Sequence, residues 1–302
     1  MSGSRRWGWI LAGLIVVVGG WLRWAFHDLD YRYPDEAIAS AVVGRMRQTG
    51  DWDTNWIKAE VPSEMRVDQY NFSSYHYALF GVYRAAKLVP VLDGWRSQLE
   101  GFVLYRFFSV ASAISALAGI MALGWTAGGQ SAALFSGLAG LAAVLLVQDA
   151  HYVRPEAFMT LLMVGVLLLA WPSPQRSLPR LLIAGGLMGL LLACKVSLAL
   201  VAWVPLAAAW LHGATLARRI RLTAAVGVAL TAGFALGAPG AVLQPGKFLH
   251  GVRYLTEQYA RGHPPHGHIW GASVWDLELR YLWVTVGWGA LALAVAGVVS
   301  LW

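Results

Sequence analysis

A single cysteine, Cys194, excludes an intrachain disulfide framework, and its place inside an apolar run leaves the compartment open. Charge is scarce as well: 13% of the residues are Asp, Glu, Lys or Arg, against 58% hydrophobic. Together with a mean hydropathy of +0.54, that scarcity excludes a soluble enzyme. The sequence also lacks internal repeats, a soluble domain boundary and a low-complexity tail. Arg5 and Arg6 precede the first apolar run, but no small-residue cleavage site follows before Trp21, Arg23 and Trp24. This pattern favours a retained signal anchor over a cleaved signal peptide.

What is present is a series of apolar runs, at about 7–24, 106–126, 131–148, 157–171, 180–194, 197–211, 222–243 and 281–301. They predict an all-α polytopic membrane protein, one domain over 1–302 with about eight transmembrane helices. Several runs are short for a hydrocarbon core of about 30 Å, so their ends are soft. The last run reaches Leu301-Trp302, and the expectation is a natural chain that continues beyond it.

Acidic residues are missing from one whole set of loops. With the N-terminus cytoplasmic, the cytoplasmic segments hold Arg5, Arg6, Arg176, Arg180, Arg218, Arg219 and Arg221 and no carboxylate. All sixteen carboxylates then lie on the other side, and these seven arginines equal the net charge of +7. Such asymmetry in short loops is the positive-inside pattern. The basic balance therefore reports topology in a plasma (inner) membrane and gives no footprint for nucleic acid.

The first outer segment, residues 25–105, carries eleven of the sixteen carboxylates and is too long to be a mere connection. Within it, Pro34 suits a first helical turn, Asp35 and Glu36 suit the positive end of a helix dipole, and Ile38, Ala41, Val42 and Met46 recur at helical spacing. Gly50 ends that helix. Arg45 and Arg47 fall on other faces, as in a helix lying at a membrane surface. The aromatic stretch from Tyr70 to Val89, interrupted by His76, Arg84 and Lys87, predicts a second interfacial helix.

Further polar groups stand at the outer ends of later spans. Asp149-Ala150-His151-Tyr152-Val153-Arg154-Pro155-Glu156 separates the third span from the fourth, and Lys195 interrupts apolar sequence at the end of the fifth. An ammonium there is costly unless solvated or paired with an anion. The outer loop at 244–280 contains Arg253 and the run His263-Pro264-Pro265-His266-Gly267-His268. If the helices bundle, all these groups converge on one face. A partly buried carboxylate can act as general base on a hydroxyl or amine, and basic groups nearby suit a phosphate leaving group.

The ordered set resembles the C-type glycosyltransferase superfamily, in its protein O-mannosyltransferase and aminoarabinose-transferase branch. The resemblance covers nearly the whole chain. It runs through Pro34-Asp35-Glu36, Gly50-Asp51-Trp52, an arginine-led span at Arg106, and Arg154-Pro155-Glu156 where the family often has Arg-Pro-Asp. It continues with a glycine-rich segment, Gly189 to Ser197, containing Lys195, and with Gly262-His263 or Gly267-His268 before a last aromatic span. The resemblance implies transfer of a sugar from a polyprenyl-phosphate carrier to a glycan, lipid or protein acceptor on the extracytoplasmic side. It implies Asp35 as the base that deprotonates the acceptor, with Glu36 beside it, and Lys195, Arg154 and Arg253 as holders of the carrier phosphate. It also implies Glu156, Glu where the family often has Asp, as a candidate further site acid. Many relatives carry more spans and a soluble C-terminal domain.

Each residue also has a plainer explanation. Asp35 and Glu36 can serve only as helix-capping charges, worth about 0.3–1 kcal/mol each. Arg154 and Glu156 can be a simple ion pair, and Lys195 can snorkel to the interface. His263, His266 and His268 are candidate ligands for a divalent metal, the one cofactor the sequence suggests, and an exposed turn accounts for them equally well. The sixteen tryptophans read mostly as interface belt, with Trp52, Trp56 and Tyr70 as a candidate platform for sugar or lipid. From other classes, a transporter or flippase of lipid-linked sugar and a non-catalytic subunit also fit an apolar chain with charged helix ends.

Overall fold

The computed structural model describes residues 3–25, 34–61, 66–92, 102–172 and 177–260. Every regular element among them is helical, as the apolar runs predict. Among the described residues, three helices are long and apolar enough to cross a membrane: α1 (Gly3–Trp24), α4 (Phe102–Ala142) and α9 (Leu216–Gly237). Shorter apolar helices lie between them: α6 (Pro155–Ala170), α7 (Leu178–Cys194), and a 3-10 turn, Val196–Ala202, running into α8 (Trp203–His212). The predicted run at 281–301 is outside the described residues.

The 41 residues of α4 are not one rod. Gly128 and Gly129 leave helical geometry, and Gly129 takes φ 70°, a left-handed conformation that suits a residue without Cβ. The two halves fold against each other: Ser136 Oγ donates to the Ile120 carbonyl at 3.3 Å, and Gly137 packs on Met121. Gly128-Gly129 thus makes a turn between the apolar runs at about 106–126 and 131–148. Arg23, near the end of α1, is fully buried and ties that helix to the second half of α4. Its Nη1 donates to the Gly19 carbonyl at 3.1 Å and its Nη2 to the Gly140 carbonyl at 2.9 Å.

The most extensive helix pair is α7 with α9. Their backbones approach at glycines, since a Cβ on Gly189 would strike the Leu230 carbonyl and one on Gly233 the Gly186 carbonyl. Small residues at such crossings are how membrane helices gain van der Waals contact where lipid removes the hydrophobic drive to associate. Outward faces stay apolar, with Trp7, Val17, Trp21, Val228 and Leu236 all exposed.

A separate core forms where the segment between α1 and α4 packs against the other helices. Helix α2 (Pro34–Thr49) ends at Gly50, whose φ is 71°, and α3 (Ser73–Ala86) packs beside it. Ile38, Val42 and Met46 from α2 meet Tyr75, Leu79 and Tyr83 from α3 and Tyr105 from α4. This core joins one face of α2 to α3 and to the start of α4. His76, read as a polar interruption, is fully buried. Trp56 and Tyr70, read as platform residues, are also buried, and the Trp56 indole N–H donates to the Asn71 carbonyl at 3.0 Å. Trp56 belongs to the core shared with α2 and α3, and Tyr70 to a separate cluster with Ala193, Ala238 and Ala241.

Candidate functional site

Glu36 stands in the first turn of α2 with no exposed surface. Two oxygens there, removed from water, require partners. Arg106, in the first turns of α4 and itself buried, supplies them: Nε reaches Oε1 and Nη2 reaches Oε2, each at 3.2 Å. The guanidinium also lies 4.5 Å over the Phe102 ring. A third donor is the backbone N–H of Val153, 2.6 Å from Glu36 Oε1. One carboxylate thus fastens the start of α2, the start of α4 and the link between α5 (Val144–Gln148) and α6.

That link carries the next charges. Arg154 is extended at φ −127° and precedes Pro155, whose fixed φ suits the first position of α6. Arg154 Nη1 lies 3.4 Å from Asp149 Oδ1, and its Nη2 lies 3.3 Å from Glu156 Oε1. Glu156 sits in the first turn of α6, where the helix dipole favours a negative charge. Its Oε1 also faces Lys195 Nζ at 4.0 Å, while its Oε2 is buried with no hydrogen-bond partner among the described residues. Burial pushes the Asp149 carboxyl up to about 6; Glu156 adds to that rise, and Arg154 and Lys195 oppose it.

Lys195 reaches this place because α7 stops at Cys194. The Cys194 carbonyl freed by the break accepts from the Phe72 N–H at 2.8 Å, and Ser74 Oγ donates to the Leu190 carbonyl at 2.8 Å. Phe72 takes φ 63° to make this junction, a strained choice for a residue with a Cβ. The end of α7 is thereby plugged by the start of α3, and the lysine side chain, 30% exposed, turns toward Glu156.

Apolar grooves run along α1 toward the same corner. One, of about 520 Å³, is lined by Leu22, Leu141, Val144, Val147, Gln148 and His151. Its polar end is fixed by His151 Nε2, which donates to the Ala25 carbonyl at 2.6 Å. A second, of about 360 Å³, shares Leu141 and continues past Leu138, Leu134, Val18 and Leu11.

Of the residues singled out in the sequence, Glu36, Arg154, Glu156 and Lys195 form one connected set, together with Asp149. The backbone of Asp35 lies in α2, but its side chain is outside the described residues. Arg253 is exposed on α11 (Pro245–Ala260), a helix seated through Gly251 against Asp68 and Gln69. None of its contacts joins it to Lys195 or Glu156 among the described residues. His263, His266 and His268 are outside the described residues, and no cluster of metal-ligating side chains occurs among those described. Sequence reasoning gave Arg106 no partner and left the Val153 amide unnoticed. The one signal was a lone arginine at the head of an apolar run, which needs an anion. The chain matches no protein-family model, no curated protein and no solved structure.

Proposed function

We propose that this protein is an integral membrane glycosyltransferase of about eight spans in the plasma membrane. Its N-terminus is cytoplasmic and its site extracytoplasmic. It moves a sugar from a polyprenyl-phosphate donor to a hydroxyl or amine acceptor. The observation that carries this reading is the contact chain from Glu36 through the Val153 amide to Arg154, Glu156 and Lys195. It links the first turn of α2, where Asp35 resides, to the cations Arg154 and Lys195, and the apolar groove lined by Gln148 and His151 belongs to the same stretch of chain as Arg154. The groove suits an isoprenoid tail, and Lys195, loosely paired at 4.0 Å, can turn to a phosphate oxygen.

In this reading the Asp35 carboxylate takes the proton from the acceptor hydroxyl as its oxygen attacks the anomeric carbon. The bond from that carbon to the carrier phosphate breaks, and the phosphate leaves with the electron pair, held by Lys195 and Arg154. Configuration at the anomeric carbon inverts. Glu36, with both oxygens engaged, is a positioning residue that fixes the turn bearing Asp35. Glu156 keeps the two cations together until the phosphate arrives.

The test uses full-length protein in liposomes with polyprenyl-phosphate hexose or pentose. Wild type should form glycosylated acceptor, Asp35→Asn should lose turnover, and Lys195→Ala should raise the KM for the donor about tenfold or more, the weight of one charge-assisted contact. Full activity in Asp35→Asn removes the base assignment. Movement of the lipid-linked sugar across the bilayer with no transfer product replaces the transferase with a flippase.

A further inference from the structure

Trp52 stands in a loop with no regular structure, and that loop is held by a series of hydrogen bonds. The Asp53 N–H donates to Asp51 Oδ1 at 2.9 Å, the Asn55 N–H to Asp53 Oδ1 at 3.0 Å, and the Ile57 N–H to Asn55 Oδ1 at 3.1 Å. Tyr77 Oη donates to the Trp52 carbonyl at 2.7 Å. The indole stacks on the Tyr77 ring, with centroids 6.3 Å apart and planes at 28°, and meets Phe80 edge-on at 5.0 Å. Even so, Trp52 remains 61% exposed. A large apolar ring fixed by its neighbours and left open on one side is built to meet something.

The rim around it is polar. Asp51 binds Arg45 at 2.6 Å and Lys58 at 3.3 Å, and Lys58 also binds Asp53 at 2.8 Å. The Asp51 and Lys58 side chains are both close to two-fifths exposed, so each keeps hydrogen-bonding capacity for a ligand. The Asp53 amide foremost, then Arg45 and Lys58, hold the Asp51 carboxyl down at about 2, so it is an anion at every physiological pH.

We propose that Trp52 is a carbohydrate-binding platform. Its open indole face takes the apolar C–H face of a pyranose ring, and Asp51 and Lys58 take hydroxyls at the ring's edge. The chemistry fits a neutral sugar, which pairs an apolar face with an equatorial belt of donors and acceptors. It does not fit insertion into lipid. Within Gly50–Asn55 Trp52 is the sole apolar side chain, flanked by Asp51 and Asp53. A continuous apolar surface looks different, as at the end of α3, where Leu88, Val89 and Val91 are exposed together. As a deepening of the transferase reading, which it rests on only for the sugar's role, the platform receives a glycan acceptor.

Binding is measured without donor, so its outcome is separate from turnover. Saturation-transfer NMR on the full chain in nanodiscs uses methyl α-mannoside, methyl β-glucoside and methyl β-galactoside as probes. Wild type should bind at least one, with Trp52→Ala about tenfold weaker and Trp52→Phe, which keeps a ring against Tyr77 and Phe80, in between. Equal binding by wild type and Trp52→Ala overturns the platform, as does no binding by wild type. A Trp52→Cys variant carrying a spin label adds a second readout. A label reached by aqueous relaxation agents supports the proposal, whereas one reached only by lipid-soluble oxygen makes residue 52 a membrane anchor and ends it. Sugar binding with no transfer by wild type keeps the platform and removes the transferase; transfer to a lipid acceptor with no sugar binding does the reverse.

Discussion

Glu36 and Arg106, 70 residues apart in sequence, form a buried two-pronged ion pair with both N–O distances at 3.2 Å. Neither side chain reaches water, so each is the other's main compensation for lost hydration. Removing one partner should therefore cost more than the pair contributes. We expect Glu36→Leu or Arg106→Leu alone to destabilise the fold by about 3–5 kcal/mol, and the double variant to recover part of that loss. A double-mutant cycle from denaturation in detergent checks it; additive losses would show the two residues to be independent.

Asp149 predicts a pH dependence with a definite sign. Its folded pKa of about 6 exceeds the ordinary carboxyl value of 3.8, so the folded state binds the proton more tightly than the unfolded chain. Between about pH 4 and 6 this group then makes the protein less stable as pH rises. Asp149→Asn should be more stable than wild type at pH 7, by on the order of 3 kcal/mol, and equally stable at pH 4. Thermal midpoints of both proteins across that range give the comparison. A variant less stable at pH 7 would mean that the Arg154 contact outweighs burial.

His76 has the opposite sign. Burial lowers its imidazole to about 3, and neither ring nitrogen has a hydrogen-bond partner among the described residues. The unfolded chain takes up a proton near 6.5 and the folded protein does not, so stability falls as pH drops from about 6.5 toward 3. His76→Phe should flatten that fall and, by removing unsatisfied polar atoms, stabilise the fold at neutral pH by about 1 kcal/mol. Melting curves at pH 5 and 7.5 decide it, and a strongly destabilised variant at pH 7.5 would show that the imidazole has a polar partner.

Gly189 sets the approach of α7 to α9. A Cβ there meets the Leu230 carbonyl and the Phe234 amide, both backbone and unable to swing away. Gly189→Ala should cost about 1–3 kcal/mol by overpacking, and Gly189→Leu more. Gly227 on α9 has open space around its Cβ position, so Gly227→Ala is the matched control and should be neutral or slightly stabilising. Proteolysis rates of the two alanine variants in detergent separate these outcomes.

Local patterns alone determined the all-helical membrane character, the helix from Pro34 to its stop at Gly50, and the turn at Gly128-Gly129. Each rests on hydropathy, residue spacing or backbone freedom within a few neighbours, and such signals survive without knowledge of distant contacts. The same signals gathered Asp35, Glu36, the stretch from Asp149 to Glu156, Lys195, and the loop with Arg253, His263, His266 and His268 as one set of interest. Only the tertiary structure decided how those charges are shared. Glu36 goes to Arg106 and the Val153 amide, while Arg154 and Lys195 divide Glu156. It also turned Trp56, Tyr70 and His76 inward and left Trp52 in the open. The physical reason is that a carboxylate or an aromatic ring has the same local propensity whether buried or exposed. Its role is fixed by the partner that packing brings to it from elsewhere in the chain, and no local window of sequence contains that partner.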